Sequence, residues 1–229
     1  MKWAGYRRFI NVIICTMKKP TIVLIIIVAV LIIGGGAYWL GTRSNTNTNV
    51  TNQPSSNTGL TVNTAIQNTN ATQTDSTYIN DDFTVTQPSG WIQVTIPGTL
   101  VSFRNVREQH PEGSAAAKIS FQSYIAISFD NIQGKTLNDI NQTTLDSITS
   151  AIGSVNIFAA SDETVNDQPA KFSTMEFTQQ DVEYTVLLAV YDAGEKYYTM
   201  SFNTTTEKWL TYKDKFYEIA RSFKLKGQR

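Results

Sequence analysis

The 229 residues include one cysteine and one histidine. Cys15 has no second cysteine to pair with. It also precedes the long apolar segment, which removes any thiolate nucleophile or thiolate metal ligand from everything downstream. His110 is the lone imidazole, so a serine-histidine-acid triad or a histidine metal site would have to be built on it. Acidic residues are absent before Asp75, where the only charges are Lys2, Arg7, Arg8, Lys18, Lys19 and Arg43. The overall balance of zero therefore hides a downstream region of about −6. Nucleic-acid backbones are bound by clustered Lys and Arg, so no DNA or RNA partner is expected. G-x-S-x-G, Walker, G-x-G-x-x-G and EF-hand motifs are all missing.

What is present begins with Thr21 to Leu40, a stretch without a charge. About 20 residues at 1.5 Å each make a helix of roughly 30 Å, the thickness of a hydrocarbon core. About a dozen Ile, Val and Leu residues supply on the order of −4 to −7 kcal/mol for insertion, before Gly34-Gly35-Gly36 weakens it. Ile22, Leu24, Ile27 and Leu31 are the expected lipid-buried anchor residues, with Tyr38 and Trp39 at the outer interface. Five cations precede the segment and Arg43 alone follows it closely, which puts the N-terminus in the cytoplasm and the remainder outside. A cleaved signal peptide would show a shorter apolar run and a small-residue cleavage site, whereas the exit here reads Ala37-Tyr38-Trp39-Leu40-Gly41. The expectation is an uncleaved signal anchor in the cell membrane. A type IV pilin-like subunit would carry an acidic residue near the start of its apolar helix, and none is present. Met17-Lys18-Lys19 has the form of a bacterial start, so residues 1–16 read as an upstream extension.

From Ser44 to Thr74 the chain is dominated by Asn, Thr, Ser and Gln, too polar to offset the entropy of ordering. A disordered tether of on the order of 30 Å average span is expected. The organisation is then 1–20 cytoplasmic, 21–40 transmembrane, 41–77 linker and 78–227 extracytoplasmic domain.

Within the domain, "FTVTQPSGW" (83–91) reads as a strand stopped by Pro88 and a Ser89-Gly90 turn. Another short strand is expected over Thr99–Val106. "KISFQSYIAISF" (118–129) alternates and predicts one strand with Ile119, Phe121, Ile125, Ile127 and Phe129 on its buried face. Leu137, Ile140, Leu145, Ile148 and Ile152 follow helical spacing, with Thr136 as cap. The second half predicts antiparallel strands: Val155–Phe158, Thr164–Val165, Ala170–Thr178, Glu183–Asp192 and Lys196–Asn203. The "NDQPA" stretch (166–170) is a turn. "VLLAVY" (186–191) is apolar without alternation, as a central strand covered on both faces requires. A final helix is expected from Thr204, with a Thr204/Glu207 capping box and Trp209, Leu210, Tyr212, Phe216, Ile219 and Ala220 on its apolar side. The order of elements implies an α+β domain, a mostly antiparallel sheet of six or seven strands between helices.

The spacing of Phe83, Pro88 and Trp91, the Thr136-Leu137 helix start, the "NDQPA" turn, Tyr184, Tyr197-Tyr198 and the ending "YKDKFYEIARSFKL" (212–225) resemble PsbP-like proteins. The resemblance covers about 75–225. It implies an α/β/α sandwich used as a binding or assembly module. Its best-known members sit outside photosystem II near calcium and manganese, and many bacterial relatives are membrane-anchored. The anchor and Asn/Thr tether depart from the photosynthetic members. No metal motif matches, so no metal ligand is carried over.

The leading reading is therefore a single-pass membrane protein whose PsbP-like domain binds a membrane or envelope protein, without catalysis and without a cofactor. The alternative is an extracytoplasmic hydrolase or metal-dependent enzyme using His110 and neighbouring acids. His110, between Gln109 and Pro111, is expected to be an exposed loop residue, and Asp81-Asp82 to solvate a turn. Weak calcium binding would need several carboxylate oxygens converging on one point. Trp91, Tyr124, Tyr191, Tyr197, Tyr198 and Trp209 are expected mostly in the core.

Overall fold

The structure, a computed structural model, describes residues 74–227. The expected anchor, with Ile22, Leu24, Ile27, Leu31, Tyr38 and Trp39, and the linker up to residue 73 lie outside the described residues. Among the described residues no helix is long and apolar enough to cross a membrane.

Strands β1 (Ser76–Ile79) and β2 (Phe83–Gln87) form a hairpin turned by Asn80, whose Oδ1 accepts from the Asp82 and Phe83 amides at 2.9 and 2.8 Å. Pro88 and Gly90 end β2 as the sequence predicts, with the Trp91 amide bonded back to the Pro88 carbonyl. β2 does not join the main sheet. It pairs with β1 and with β10 (Lys224–Leu225) in a separate three-stranded sheet.

The main sheet contains β3 (Ile92–Val94), β4 (Val101–Arg104), β5 (Tyr124–Asn131), β6 (Asn156–Val165), β7 (Gln168–Gln179), β8 (Val182–Asp192) and β9 (Lys196–Thr205). Their order is β3-β4-β5-β9-β8-β7-β6, every neighbouring pair antiparallel. Two hairpins turn on residues with positive φ, Asn166-Asp167 (48° and 67°) and Gln180-Asp181 (51° and 61°). Paired positive φ values match the twist of the flanking strands, and after glycine Asn and Asp tolerate them most readily.

Side-chain alternation divides the core between the two faces of the sheet, and Ile96, Ala116, Phe121, Tyr124, Ala126 and Val182 form a third buried cluster. Leu187, Ala189, Tyr191, Tyr198, Met200 and Phe202 face α3 (Thr206–Ser222), which brings down Trp209, Phe216, Ile219 and Ala220. Val186, Leu188, Val190 and Met175 face α2 (Leu137–Ile152) and its Ile140, Leu145 and Ile148. "VLLAVY" is thus covered on both faces, as its lack of alternation requires. On the α3 side the Tyr191 and Phe223 rings stack at 4.4 Å, and the buried Tyr191 hydroxyl donates to the Ala220 carbonyl at 2.9 Å. Each such buried ring contributes about 1.5–3 kcal/mol of transfer free energy. Trp91, Tyr124, Tyr191, Tyr198 and Trp209 are buried and Tyr197 half-buried, so the core reading of these aromatics holds.

Several local expectations change. The stretch 118–129 is not one strand: Ser114 caps a short helix, α1 (Ala115–Lys118), and Ser120 takes φ 52°, so the strand starts only at Tyr124. The two strand fragments expected between 155 and 165 are one ten-residue strand, β6, exposed from Asn156 to Asp162. An edge strand open on both faces carries no alternation to read. The helix expected from Thr204 starts at Thr206, because Thr204 and Thr205 stay in β9, opposite Thr185 and Tyr184. Its Thr204/Glu207 capping box is absent. The N-cap is Thr205, which makes no side-chain cap bond. Leu210 points away from the core, 86% exposed.

Candidate functional site

The residues after β4 fold back as an Asn105-headed turn, in which the Glu108 amide bonds to the Asn105 carbonyl at 3.1 Å. This turn carries Glu108 and His110 inward. The expected exposed histidine is instead interior: the side chains of His110 and Glu108 are only 3% and 2% exposed. The apolar flank is Phe121, whose ring centroid lies 6.0 Å from the imidazole.

A buried carboxylate costs several kcal/mol unless donors replace its water. Here they do. Glu108 Oε1 lies 3.0 Å from Ser123 Oγ, and Oε2 accepts from the Ser123 amide at 3.3 Å and from the Tyr212 hydroxyl of α3 at 2.8 Å. Tyr212 in turn accepts from Asn105 Nδ2 at 2.9 Å, and Ser123 Oγ reaches Thr204 Oγ1 at 2.8 Å. Burial pushes the Tyr212 phenol up, and the bond to Glu108 with its negative charge pushes it further, so Tyr212 stays a neutral donor. His110 Nε2 approaches Oε1 to 3.1 Å, but neither ring nitrogen makes an aligned hydrogen bond among the described residues. The contact is ionic when the imidazole is protonated, rather than a linear N–H···O bond.

The arrangement gathers a serine, an acid and a histidine, but in an order that does not activate the serine. A triad places histidine between nucleophile and acid. Here Glu108 is in the middle, and Ser123 is fully buried with its hydroxyl directed at Glu108 and Thr204. The cluster instead ties the loop after β4, the start of β5 and α3 together. Glu108 and Ser123 belong to no motif in the sequence, and Tyr212 reads there only as part of the apolar side of the final helix. The sole local signal was the Glu-x-His spacing. Asp81 and Asp82 lie exposed in the Asn80 turn, as expected. Among the described residues no group of three or more His, Cys, Asp and Glu side chains could hold a metal ion.

The second site-like feature lies at the far edge of the sheet. An open pocket of about 400 Å³ is lined by Asn156 of β6, Glu176, Phe177 and Thr178 of β7, Glu183 of β8 and Thr206 of α3, among others. Glu176 makes one long contact, 3.5 Å from the Thr185 hydroxyl, and neither glutamate has an ion pair among the described residues.

The arrangement of the two sheets and three helices corresponds to a known family. A PsbP family model matches residues 74–225. The chain belongs to the PsbP family. In solved structures, this PsbP-family domain is similar to cyanobacterial PsbP (CyanoP) from Synechocystis sp. PCC 6803, at 18% identity and a TM-score of 0.52 over 67% of this chain and 93% of that one. The Ran-binding protein Mog1p of Saccharomyces cerevisiae matches at 12% identity and a TM-score of 0.46, over 66% and 95% of the two chains. LpqN of Mycobacterium tuberculosis, described as involved in cell envelope biogenesis, matches at 9% identity and 0.46, over 66% and 90%. No curated protein matches the chain in sequence.

Proposed function

We propose that this PsbP-family domain is a binding or assembly module for a membrane or envelope protein, held outside the cell membrane by an uncleaved anchor and working without catalysis. The observation that carries the reading is the internal use of the one histidine: the His110 side chain is 3% exposed and lies against Glu108. A Ser-His-acid hydrolase built on His110 would need that imidazole beside an accessible nucleophile. The anchor part rests on the charge-free run from Thr21 to Leu40 with its cations on one side. Membership in the PsbP family supports the module reading by resemblance.

Full-length protein in membranes is the material for the test. Wild type and His110→Ala are assayed against ester, peptide, glycoside and phosphoester substrates, with and without calcium, and intact cells are treated with an external protease. The expected result is no turnover in either protein, loss of the C-terminal domain to the protease, and retention of a membrane-bound stub. Turnover that disappears in His110→Ala overturns the non-catalytic reading. A domain left uncut on intact cells overturns the topology.

A further inference from the structure

The two edges of the main sheet are unequal. On one side it ends in β3, three residues long; on the other it ends in β6, ten residues long. An edge strand presents a row of unpaired N–H and C=O groups, which another chain can extend as an added strand. β6 is exposed from Asn156 to Asp162, with Ile157 at 42% and Phe158 at 48%. The register with β7 shifts between Ile157 and Ala159, a bulge that leaves Phe158 as the extra residue.

Charge along this edge is not uniform. At its C-terminal half the acids are compensated: Asp162 pairs with Lys171, and Glu163 with Arg221 at 3.0 Å. At its N-terminal end, Asn156 borders the pocket holding Glu176 and Glu183, which have no cation partner among the described residues. An occupant of this margin meets backbone groups with no strand partner among the described residues, two apolar side chains and, at one end, negative charge without a cation partner among those residues.

We propose that β6 and the adjoining pocket dock an extended, basic segment of a partner protein, added to the sheet as an eighth strand with a Lys or Arg directed toward Glu176 and Glu183. Backbone bonds to β6 supply the affinity, Ile157 and Phe158 cover the apolar side chains of the segment, and the glutamates select for positive charge. The site rests on the binding-module reading and specifies where that module binds and what chemistry it selects.

The test uses the full-length chain in neutral detergent and a labelled synthetic peptide as long as β6, alternating Lys with Val. Two control peptides accompany it, one with Gln for Lys and one methylated on every second backbone nitrogen. Fluorescence anisotropy gives affinity, and hydrogen exchange with mass spectrometry locates the contact. The Lys peptide is expected to bind about ten-fold more tightly than either control, more weakly in high salt, and to slow exchange in 156–165. Glu176→Gln/Glu183→Gln, checked for an unchanged thermal melt, is expected to erase the Lys/Gln difference while leaving methylation damaging. Equal binding of the methylated peptide, unchanged exchange in β6, or a probe-free dimer with β6 already protected overturns the proposal. An envelope partner that slows exchange elsewhere, with β6 still exchanging, overturns this site and leaves the binding-module reading standing. Substrate turnover by the chain would strike that reading itself.

Discussion

Glu108 and the pair Glu176 and Glu183 put the same functional group in opposite situations. Glu108 is 2% exposed, and Ser123, Tyr212 and His110 surround it. Glu176 and Glu183 sit in an open pocket, with one 3.5 Å contact to Thr185 between them. The comparison teaches where to look for function in a domain that has a histidine and an acid side by side. A carboxylate whose acceptor positions are filled by its own fold acts as a structural pin. One left without a counter-charge in an open pocket next to the edge strand is available to a partner.

The strongest way to break this comparison is to remove the carboxylates and measure stability by urea unfolding of the full chain. Glu108→Ala strands the Tyr212 hydroxyl and the Ser123 amide without their acceptor. The expected loss is about 3 kcal/mol, since each buried donor left unsatisfied costs about 1–3 kcal/mol. Glu108→Leu combined with His110→Leu removes both polar side chains together and is expected to cost less than Glu108→Ala alone. Glu176→Gln/Glu183→Gln is expected to stay within about 0.5 kcal/mol of wild type. Equal losses at both places would mean that the interior network is not what secures the loop after β4.

The same contrast between met and unmet groups recurs at the helix starts, with smaller energies. Thr136 caps α2 in a reciprocal box with Asp139: the Asp139 amide donates to Thr136 Oγ1 at 3.2 Å, and the Thr136 amide donates to Asp139 Oδ2 at 2.9 Å. Thr136→Ala is expected to cost about 1 kcal/mol. Thr205 occupies the corresponding position of α3, but its Oγ1 is buried without a partner among the described residues. Thr205→Val keeps the shape and deletes an unsatisfied hydroxyl, so its melting temperature is expected to match or exceed wild type. A loss at Thr205→Val as large as at Thr136→Ala would show that Thr205 has a partner in solution.

These two caps also mark how far the sequence could be read. The α2 box is local, its members three residues apart, and both its position and the helix length follow from spacing alone. At α3 the same local logic favours Thr204 as cap, yet pairing with Thr185 and Tyr184 keeps β9 extended for two more residues. Tertiary pairing overrides a cap preference worth about 1 kcal/mol. β6 was fragmented because an exposed edge has no buried face to impose alternation, so its open margin was invisible for the reason that makes it interesting. In the interior cluster His110 was legible as a candidate, but Tyr212 lies 104 residues from Glu108 and Ser123 lies 15. Neither separation leaves a pattern in the sequence, and the expected exposure of His110 failed for that reason.

The smallest effect separates a partnered surface acid from a partnered interior one. The Arg221 guanidinium beside Glu163 holds its carboxyl below the ordinary value, against a lesser upward push from burial. A carboxyl depressed in the folded state contributes stability above its unfolded pKa of about 4.3 and loses it as pH falls through the folded pKa. Arg221 is 52% exposed in this pair, so solvent screening limits the contribution to about 0–1 kcal/mol. A double-mutant cycle of Glu163→Gln and Arg221→Gln is therefore expected to give a small coupling at neutral pH that fades below pH 4 and in high salt. A coupling unchanged in acid would assign the contact to packing of Arg221 over the Tyr217 ring, 5.3 Å from its centroid, instead of to charge. The compensated half of the β6 edge would then carry one more free acid, Glu163, while Asp162 keeps Lys171, and the selectivity for basic segments would reach beyond the Glu176 and Glu183 end.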